Sequence, residues 1–283
     1  MKILLAILGN ICYNVYTVKE RKNNFVKIFL ASVCTNKDAY YPTNEKPHYV
    51  LDSFFYLKAT TEKKKQSIDV YMNWLKQSKM FLLDSGAFSF IEKCRKGKSF
   101  TDSDMGKYLD DYIDFINKYD IKYFFELDVD CLYDYEKVKQ IRKYLEYKTN
   151  KKCIPVWHKS RGMEEWIKMT KEYDYVAIGG IASKEINRIK DFDLFVEMCD
   201  IAHKNNCKVH GLGYLSLKVL NNDICPFDTV DGTAWQGHRR GDKFYIDEDG
   251  NINREKVPMG KDWKSRAQEC YVTWTQYSKK KDV

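Results

Sequence analysis

The sequence has few of the residues that divide a chain into separate domains. Its 283 residues include 5 prolines and 14 glycines, and no stretch rich in Gly, Pro or Ser forms a linker. No internal repeat is present either. Because chains of this length commonly fold around one core, we expect a single α/β domain over residues 1–283.

The cysteines lack the spacing that disulfide frameworks and zinc sites require. All 9 are scattered, and no C-x-x-C pair occurs. This pattern predicts reduced thiols in a cytoplasmic protein, without a metal or another cofactor. Long apolar runs are also missing: the start, MKILLAILGNICYN, is too short for a membrane span and lacks a convincing cleavage site. We expect a buried strand there.

Basic residues exceed acidic ones only modestly. Lys and Arg number 48 against 40 Asp and Glu, which gives a net charge of +8. Such a charge permits a polyanionic partner without requiring one. The 21 tyrosines, interleaved with lysines, suit nucleic acid, although AT-rich coding would give the same composition.

Short apolar runs alternate with amphipathic stretches, which predicts parallel strands joined by crossover helices. The candidate strands are KILLAIL, FVKIFLASV, MFLLDSG, YFFELDVD, CIPVWH, YVAIGG, KVHGLG and FDTVDG. The candidate helices are SDMGKYLDDYIDFINKY, YEKVKQIRKYLEY, MEEWIKMTKEY and FDLFVEMCDIAHKNN. Eight strands covered on both faces would close a TIM (β/α)8 barrel, and an open doubly wound sheet is the alternative. Residues 242–283 predict a hairpin, FYIDEDGNINRE, and a terminal helix.

Ionisable side chains gather at the carboxyl ends of the apolar runs. They are Asp84, Asp128, Asp130, His158, His210 and Asp228. In a barrel these ends share one rim, where active sites are built, so the clustering favours the barrel.

Two acidic stretches are candidates for chemistry. In DSGAFSF, Asp84 is a candidate acid/base, Ser85 lets a ligand approach the backbone, and Phe88 offers a ring for stacking; alternatively Asp84 caps the next turn. In ELDVD, alternation puts Glu126, Asp128 and Asp130 on one face, where like charges repel. Three carboxylates there would need a cation, with His158 and His210 as further ligands, or a purine base that offers hydrogen-bond donors. Alternatively, they lie on a strand edge that faces solvent.

The stretch FDTVDGTAWQGHRRG carries carboxylates followed by a basic cluster. Asp228 or Asp231 is a candidate nucleophile, and Arg239 and Arg240 are candidate phosphate ligands. Alternatively, Asp231 caps a helix and the basic residues are solvated. We include Trp235 and His238 among the candidate nucleic-acid contacts.

Taken in order, six short stretches over about residues 80–241 resemble the tRNA-guanine transglycosylase superfamily, whose members are TIM barrels that exchange guanine for a 7-deazaguanine. DSGAFS is similar to D-S-G-G-F-Q, which implies that Asp84 is the general acid/base. LDVD resembles a strand end whose aspartate, here Asp128, reads the base. His158 falls near the position of a base-reading glutamine.

The remaining stretches assign further roles by the same resemblance. AIGGIASKE is similar to G-G-L-A-x-G-E, which implies that the backbone amides of Gly179 and Gly180 contact the base. HGLG is similar to M-G-V-G and adds Gly213. FDTV resembles F-D-C-V, which makes Asp228 the nucleophile and leaves Asp231 as its rival.

The chain also departs from the family pattern. It has neither the C-x-C-x-x-C zinc motif nor P-T-R-x-A-R after FDTV. This zinc-free form looks more like the 7-deazaguanine DNA transglycosylases of phages and bacterial genomic islands. The resemblance thus implies DNA and a free 7-deazaguanine base as substrates, with no membrane partner. A queuine- or archaeosine-type tRNA enzyme, a metal-dependent TIM-barrel hydrolase and a non-catalytic nucleic-acid-binding protein remain alternatives.

Overall fold

A computed structural model describes residues 26–58, 68–97, 101–181, 183–258 and 262–282. The candidate strand KILLAIL lies outside these residues. The described residues divide into two compact units, 29–156 and 26–28 with 157–282, which we call the N-terminal and C-terminal units. No described helix is long and apolar enough to cross a membrane.

The N-terminal unit is built on parallel strands paired in the order β3-β2-β1. These are β1 (Lys27–Ala31, whose first two residues belong to the C-terminal unit), β2 (Tyr49–Ser53) and β3 (Met80–Asp84). Its helices are α1 (Lys37–Tyr40), α2 (Ile68–Leu75), α3 (Ala87–Gly97), α4 (Asp102–Lys118) and α5 (Tyr135–Thr149). Residues 54–58 are also helical. Strand β2, in a segment without a regular pattern, was missed by the sequence analysis.

The C-terminal unit continues the parallel pairing in the order β7-β6-β5-β4. These strands are β4 (Val156–Trp157, with Val156 in the N-terminal unit), β5 (Tyr175–Ile178), β6 (Lys208–Gly211) and β7 (Thr229–Gly232). Its helices are α6 (Gly162–Glu172), α7 (Phe192–Lys204), α8 (Leu217–Asn221) and α9 (Trp263–Lys280). The antiparallel hairpin β8 (Asp242–Ile246) and β9 (Ile252–Lys256) precedes α9, which confirms the hairpin and terminal helix.

The α/β class and the parallel pairing are confirmed, but the closed eight-stranded barrel is not. The described residues form seven parallel strands, three paired in the N-terminal unit and four in the C-terminal unit. YFFELDVD forms only two isolated parallel bridges, Leu83 with Phe124 and Phe125 with Ile154. The Glu126 side chain explains why the strand pairing stops here. Its Oε1 accepts a hydrogen bond from the Val156 amide at 2.7 Å. If the strands stayed paired, that amide would donate to a backbone carbonyl instead.

Helix α4 holds the carboxyl end of β3 in place. Thr101 caps the helix, since its hydroxyl accepts from the Asp104 amide and the Asp104 carboxylate accepts from the Thr101 amide. One turn apart on its buried face, the Tyr112 hydroxyl donates to Phe125 O at 2.9 Å, and Tyr108 donates to Ser85 O at 2.6 Å. The segment after β3 is therefore fixed by side chains of α4.

A buried ion pair lies in the N-terminal unit. Glu126 is fully buried, and Arg142 Nε on α5 lies 3.6 Å from its Oε2. A buried carboxylate loses its hydration, so a nearby guanidinium compensates for part of that cost.

We expect Arg142→Ala to lower the free energy of unfolding by about 3–5 kcal/mol, because it leaves the Glu126 carboxylate buried without this cation. The double variant Glu126→Gln/Arg142→Met is the control, since it removes both charges and keeps an acceptor for the Val156 amide. Urea denaturation of both variants measures the difference. Equal losses in the two would contradict the importance of the ion pair.

Candidate active-site residues

Asp228 lies at the amino end of β7, so the prediction that it ends a strand is wrong. The strand begins at Thr229, and Asp228 O accepts the Lys27 amide at 3.0 Å. Its Oδ2 accepts the Val209 amide at 2.7 Å and lies 2.9 Å from His203 Nε2 on α7. The Asp228 side chain thus ties β7 to β6 and to a helix at the opposite end from the strand's carboxyl terminus.

Asp231 occupies the position that the sequence analysis gave to Asp228. It is the third residue of β7, at the carboxyl end, and is 7% exposed. Its Oδ1 accepts the Gly213 amide at 2.6 Å and lies 3.3 Å from His210 Nε2. Among the described residues, no hydrogen bond reaches Oδ2. The Asp231 carboxylate is therefore held through Oδ1 alone by these described groups.

The parallel register explains how His210 reaches Asp231. His210 on β6 is opposite Thr229 on β7, and Asp231 follows Thr229 by two residues, on the same face of the strand. His210 Nδ1 lies 2.7 Å from Thr229 Oγ1, which lies 2.6 Å from the Tyr175 hydroxyl. A carboxylate only accepts, so the proton belongs on Nε2. Thr229 then donates to Nδ1, and Tyr175 donates to Thr229.

His158, at the end of β4, is held by a residue that the sequence analysis did not single out. Glu185 Oε2 lies 3.0 Å from His158 Nδ1, and its Oε1 accepts the Ser160 amide at 3.0 Å. The Glu185 amide in turn donates to Gly180 O at 2.9 Å. This glutamate corresponds to the last residue of the family stretch G-G-L-A-x-G-E, which was the available signal.

The glycines of the C-terminal unit divide into different roles. The Gly179 amide donates to Trp157 O at 2.9 Å, so the β4–β5 pairing uses the amide that was predicted to contact a base. The Gly213 amide is likewise engaged by Asp231, which makes this glycine a support for the carboxylate. Gly180 has φ +91°, and a Cβ there would lie 2.8 Å from Ile186 Cγ1. Its amide donates to none of the described residues.

In the N-terminal unit, DSGAFSF forms a tight turn at the end of β3. Asp84 is half-buried, and its Oδ2 accepts the Gly86 amide at 3.1 Å, which confirms the capping role. Gly86 has φ +67°, and a Cβ there would lie 2.3 Å from Ser53 Oγ. Ser85 is buried, whereas Phe88 at the start of α3 is 50% exposed and presents a ring for stacking.

The three carboxylates of ELDVD have different surroundings. Glu126 is fully buried and bound to Val156 and Arg142, so it belongs to the fold and is not part of a shared acidic face. Asp128 and Asp130 are half-buried. The acidic face predicted from alternation thus reduces to two residues.

Two of the residues predicted to contact nucleic acid are buried. Trp235 is 0% exposed and packs its ring against Tyr271 of α9. His238 is 4% exposed. Burial, reinforced by the charges of Arg239, Arg240 and Arg266, lowers the pKa of His238 to about 4, so it is neutral at pH 7. Both residues belong to the 3-10 segment Ala234–Arg240, which ends in the exposed Arg239 and Arg240.

No protein-family model matches the chain, and no curated protein matches it either. None of the described cysteines forms a disulfide.

The lowered pKa of His238 predicts a dependence of stability on pH. The unfolded chain binds a proton on this histidine near pH 6.5 but the folded chain only near pH 4, so its contribution to stability falls as pH drops through this range. We expect His238→Gln to weaken this fall. Urea titrations at several pH values measure it, and equal pH slopes for wild type and variant would contradict the assignment.

Proposed function

We propose that the protein is a transglycosylase that exchanges guanine in DNA for a 7-deazaguanine, with Asp231 as its nucleophile. The order of the sequence stretches supports the reaction class, and the observation that carries the choice of residue is the fixed Asp231 carboxylate at the carboxyl end of β7. The family barrel would place a strand at residues 123–126, where the two isolated bridges lie.

The proposed reaction is a double displacement. Asp231 Oδ2 attacks the anomeric carbon of the nucleotide, the bond to guanine N9 breaks, and an ester joins the sugar to the enzyme. The nitrogen of the incoming 7-deazaguanine attacks the same carbon and releases the carboxylate. Two inversions retain the configuration, as in retaining glycosidases.

Proton transfer accompanies both steps. By the resemblance, the acid/base is Asp84, which protonates the departing guanine and receives the proton of the incoming base. The Gly86 amide donates to the Asp84 carboxylate at 3.1 Å and helps to orient it.

By the resemblance, several further groups recognise the base. Phe88 offers an exposed ring for stacking, and Asp128 is a half-buried acceptor for the donors of a purine edge. The His158 ring is oriented by Glu185. In DNA the target nucleotide must leave the base stack to be reached.

The metal-hydrolase alternative loses one of its ligands. Both ring nitrogens of His210 lie within hydrogen-bond distance of protein side chains, Thr229 at 2.7 Å and Asp231 at 3.3 Å. A metal at His210 would have to displace one of them, whereas the transglycosylase proposal uses the network as it stands.

We expect Asp231→Asn to lower base exchange by roughly 10³-fold or more, because the amide is a poor nucleophile. The matched control is Asp228→Asn, which we expect to keep exchange while losing some stability at the junction with His203. Purified proteins are incubated with labelled guanine or 7-cyano-7-deazaguanine and duplex DNA, and label retained in the DNA is counted.

Each outcome of this assay has a definite meaning. Loss in Asp228→Asn but not in Asp231→Asn would restore Asp228 as nucleophile. Label in tRNA but not in DNA would keep the mechanism and change the substrate. No incorporation in either, with several 7-deazaguanines and salt concentrations, would reject the proposed function.

We expect His210→Phe to lower kcat roughly 10- to 100-fold with little change in KM, because it removes a donor that orients the nucleophile without contacting the base. Thr229→Val, a near-isosteric control, removes the partner of Nδ1 and of the Tyr175 hydroxyl but keeps the imidazole, so it should have a smaller effect. Steady-state exchange kinetics separate kcat from KM. A loss confined to KM would contradict an orienting role for His210.

A further inference from the structure

A buried carboxylate in the C-terminal hairpin is surrounded by three cationic side chains. Asp242, the first residue of β8, is 0% exposed. Lys256 Nζ lies 2.6 Å from its Oδ1, while Arg240 Nε and Arg254 Nη1 lie 3.6 and 3.9 Å from its Oδ2. We call Arg240, Arg254 and Lys256 the cation triad.

The hairpin register creates this arrangement. Asp242 is opposite Lys256 and Phe244 is opposite Arg254, so the strand residues share one face of the ribbon. Phe244 is buried against Trp274 of α9, which anchors that face. The turn before β8 also packs closely over the carboxylate, since a Cβ at Gly237 would lie 2.8 Å from Asp242 Oδ2. The site is thus built on rigid elements.

One carboxylate cannot neutralise three cations, so the cluster keeps a charge of about +2 at neutral pH. The side chains of the triad are 57%, 57% and 68% exposed for Arg240, Arg254 and Lys256, although their shared counter-ion is buried. The buried Asp242 therefore holds the cations together against their mutual repulsion while their outer faces stay open to solvent. The exposed Arg239 lies next to Arg240 and adds to this charge.

We propose that the cation triad binds consecutive phosphates of the DNA strand that carries the exchanged base, with Asp242 as the residue that positions it. This inference rests on the proposed function. A guanidinium can hold a phosphate through two parallel hydrogen bonds, and the lysine acts as a point charge. The 3-10 segment Ala234–Arg240 joins β7 to the triad, so the chain passes from the candidate nucleophile directly into the phosphate contacts.

Charge complementarity also explains why such a surface is required. The carboxylates proposed for catalysis repel a polyanion, and buried Trp235 and His238 contribute no positive charge. The cations held by Asp242 would offset this repulsion, and phosphate contacts set the register of the strand without reading its sequence.

The test is the salt dependence of DNA binding. Affinity of full-length wild type, Arg254→Gln and Lys256→Gln for a fluorescein-labelled duplex is measured by anisotropy from about 50 to 200 mM salt. Each variant should reduce the slope of log K against log salt by about one. Lys243→Gln is the matched control, because Lys243 lies on the other face of the same ribbon and is 3.4 Å from Glu255. It should leave the slope unchanged.

The outcomes separate this inference from the proposed function. Wild-type slopes in both triad variants, or an equal fall in Lys243→Gln, would overturn the inference, as would an effect seen with tRNA and not with DNA. Thermal melting checks that each variant is folded. Base exchange is measured on the same preparations. Reduced slopes without any exchange would keep the DNA-binding surface and reject the transglycosylase. Exchange with unchanged slopes would keep the transglycosylase and reject the DNA-binding surface.

Discussion

The hydrogen bond from the Gly213 amide to Asp231 is the interaction on which the functional interpretation depends. It fixes a carboxylate at the carboxyl end of β7, and it forms only because β6 and β7 pair in the register that places His210 opposite Thr229. A shift by one residue would turn Thr229 and Asp231 to the other face and separate them from the imidazole. The register of β6 and β7 therefore also sets the geometry of Asp231 and His210.

Carboxylates serve three different purposes in this protein, and their surroundings decide which. Glu126 and Asp242 are fully buried beside basic side chains. Glu126 accepts a backbone amide in place of a carbonyl of a neighbouring strand, and Asp242 binds cationic side chains. Asp228 joins two strands and a helix through its side chain. Asp84 and Asp231 each accept from one glycine amide at the end of a strand, which orients them without neutralising their charge. Residue type alone does not distinguish these cases.

The glycines show a similar division. Gly86 and Gly180 have positive φ, and each lies where a Cβ would collide with a neighbouring side chain. Gly179, beside Gly180, serves the sheet through its amide instead. Short stretches such as AIGGIASKE therefore combine residues that hold the sheet together with residues that orient a candidate base-binding side chain. Glu185 is of the second kind, because it contacts His158.

The sequence by itself determined the α/β class, six of the parallel strands and the C-terminal hairpin. It also predicted the helices α4, α5, α6, α7 and α9. These elements follow from local periodicity and turn residues. It also identified Asp84, His158, His210 and the pair Asp228 and Asp231 as candidates. Only the tertiary structure showed that Asp228 lies at the amino end of β7 and Asp231 at its carboxyl end. It also buried Trp235 and His238 and brought Asp242 to its three cations. These choices depend on strand ends, register and contacts between distant residues, which a local pattern does not contain.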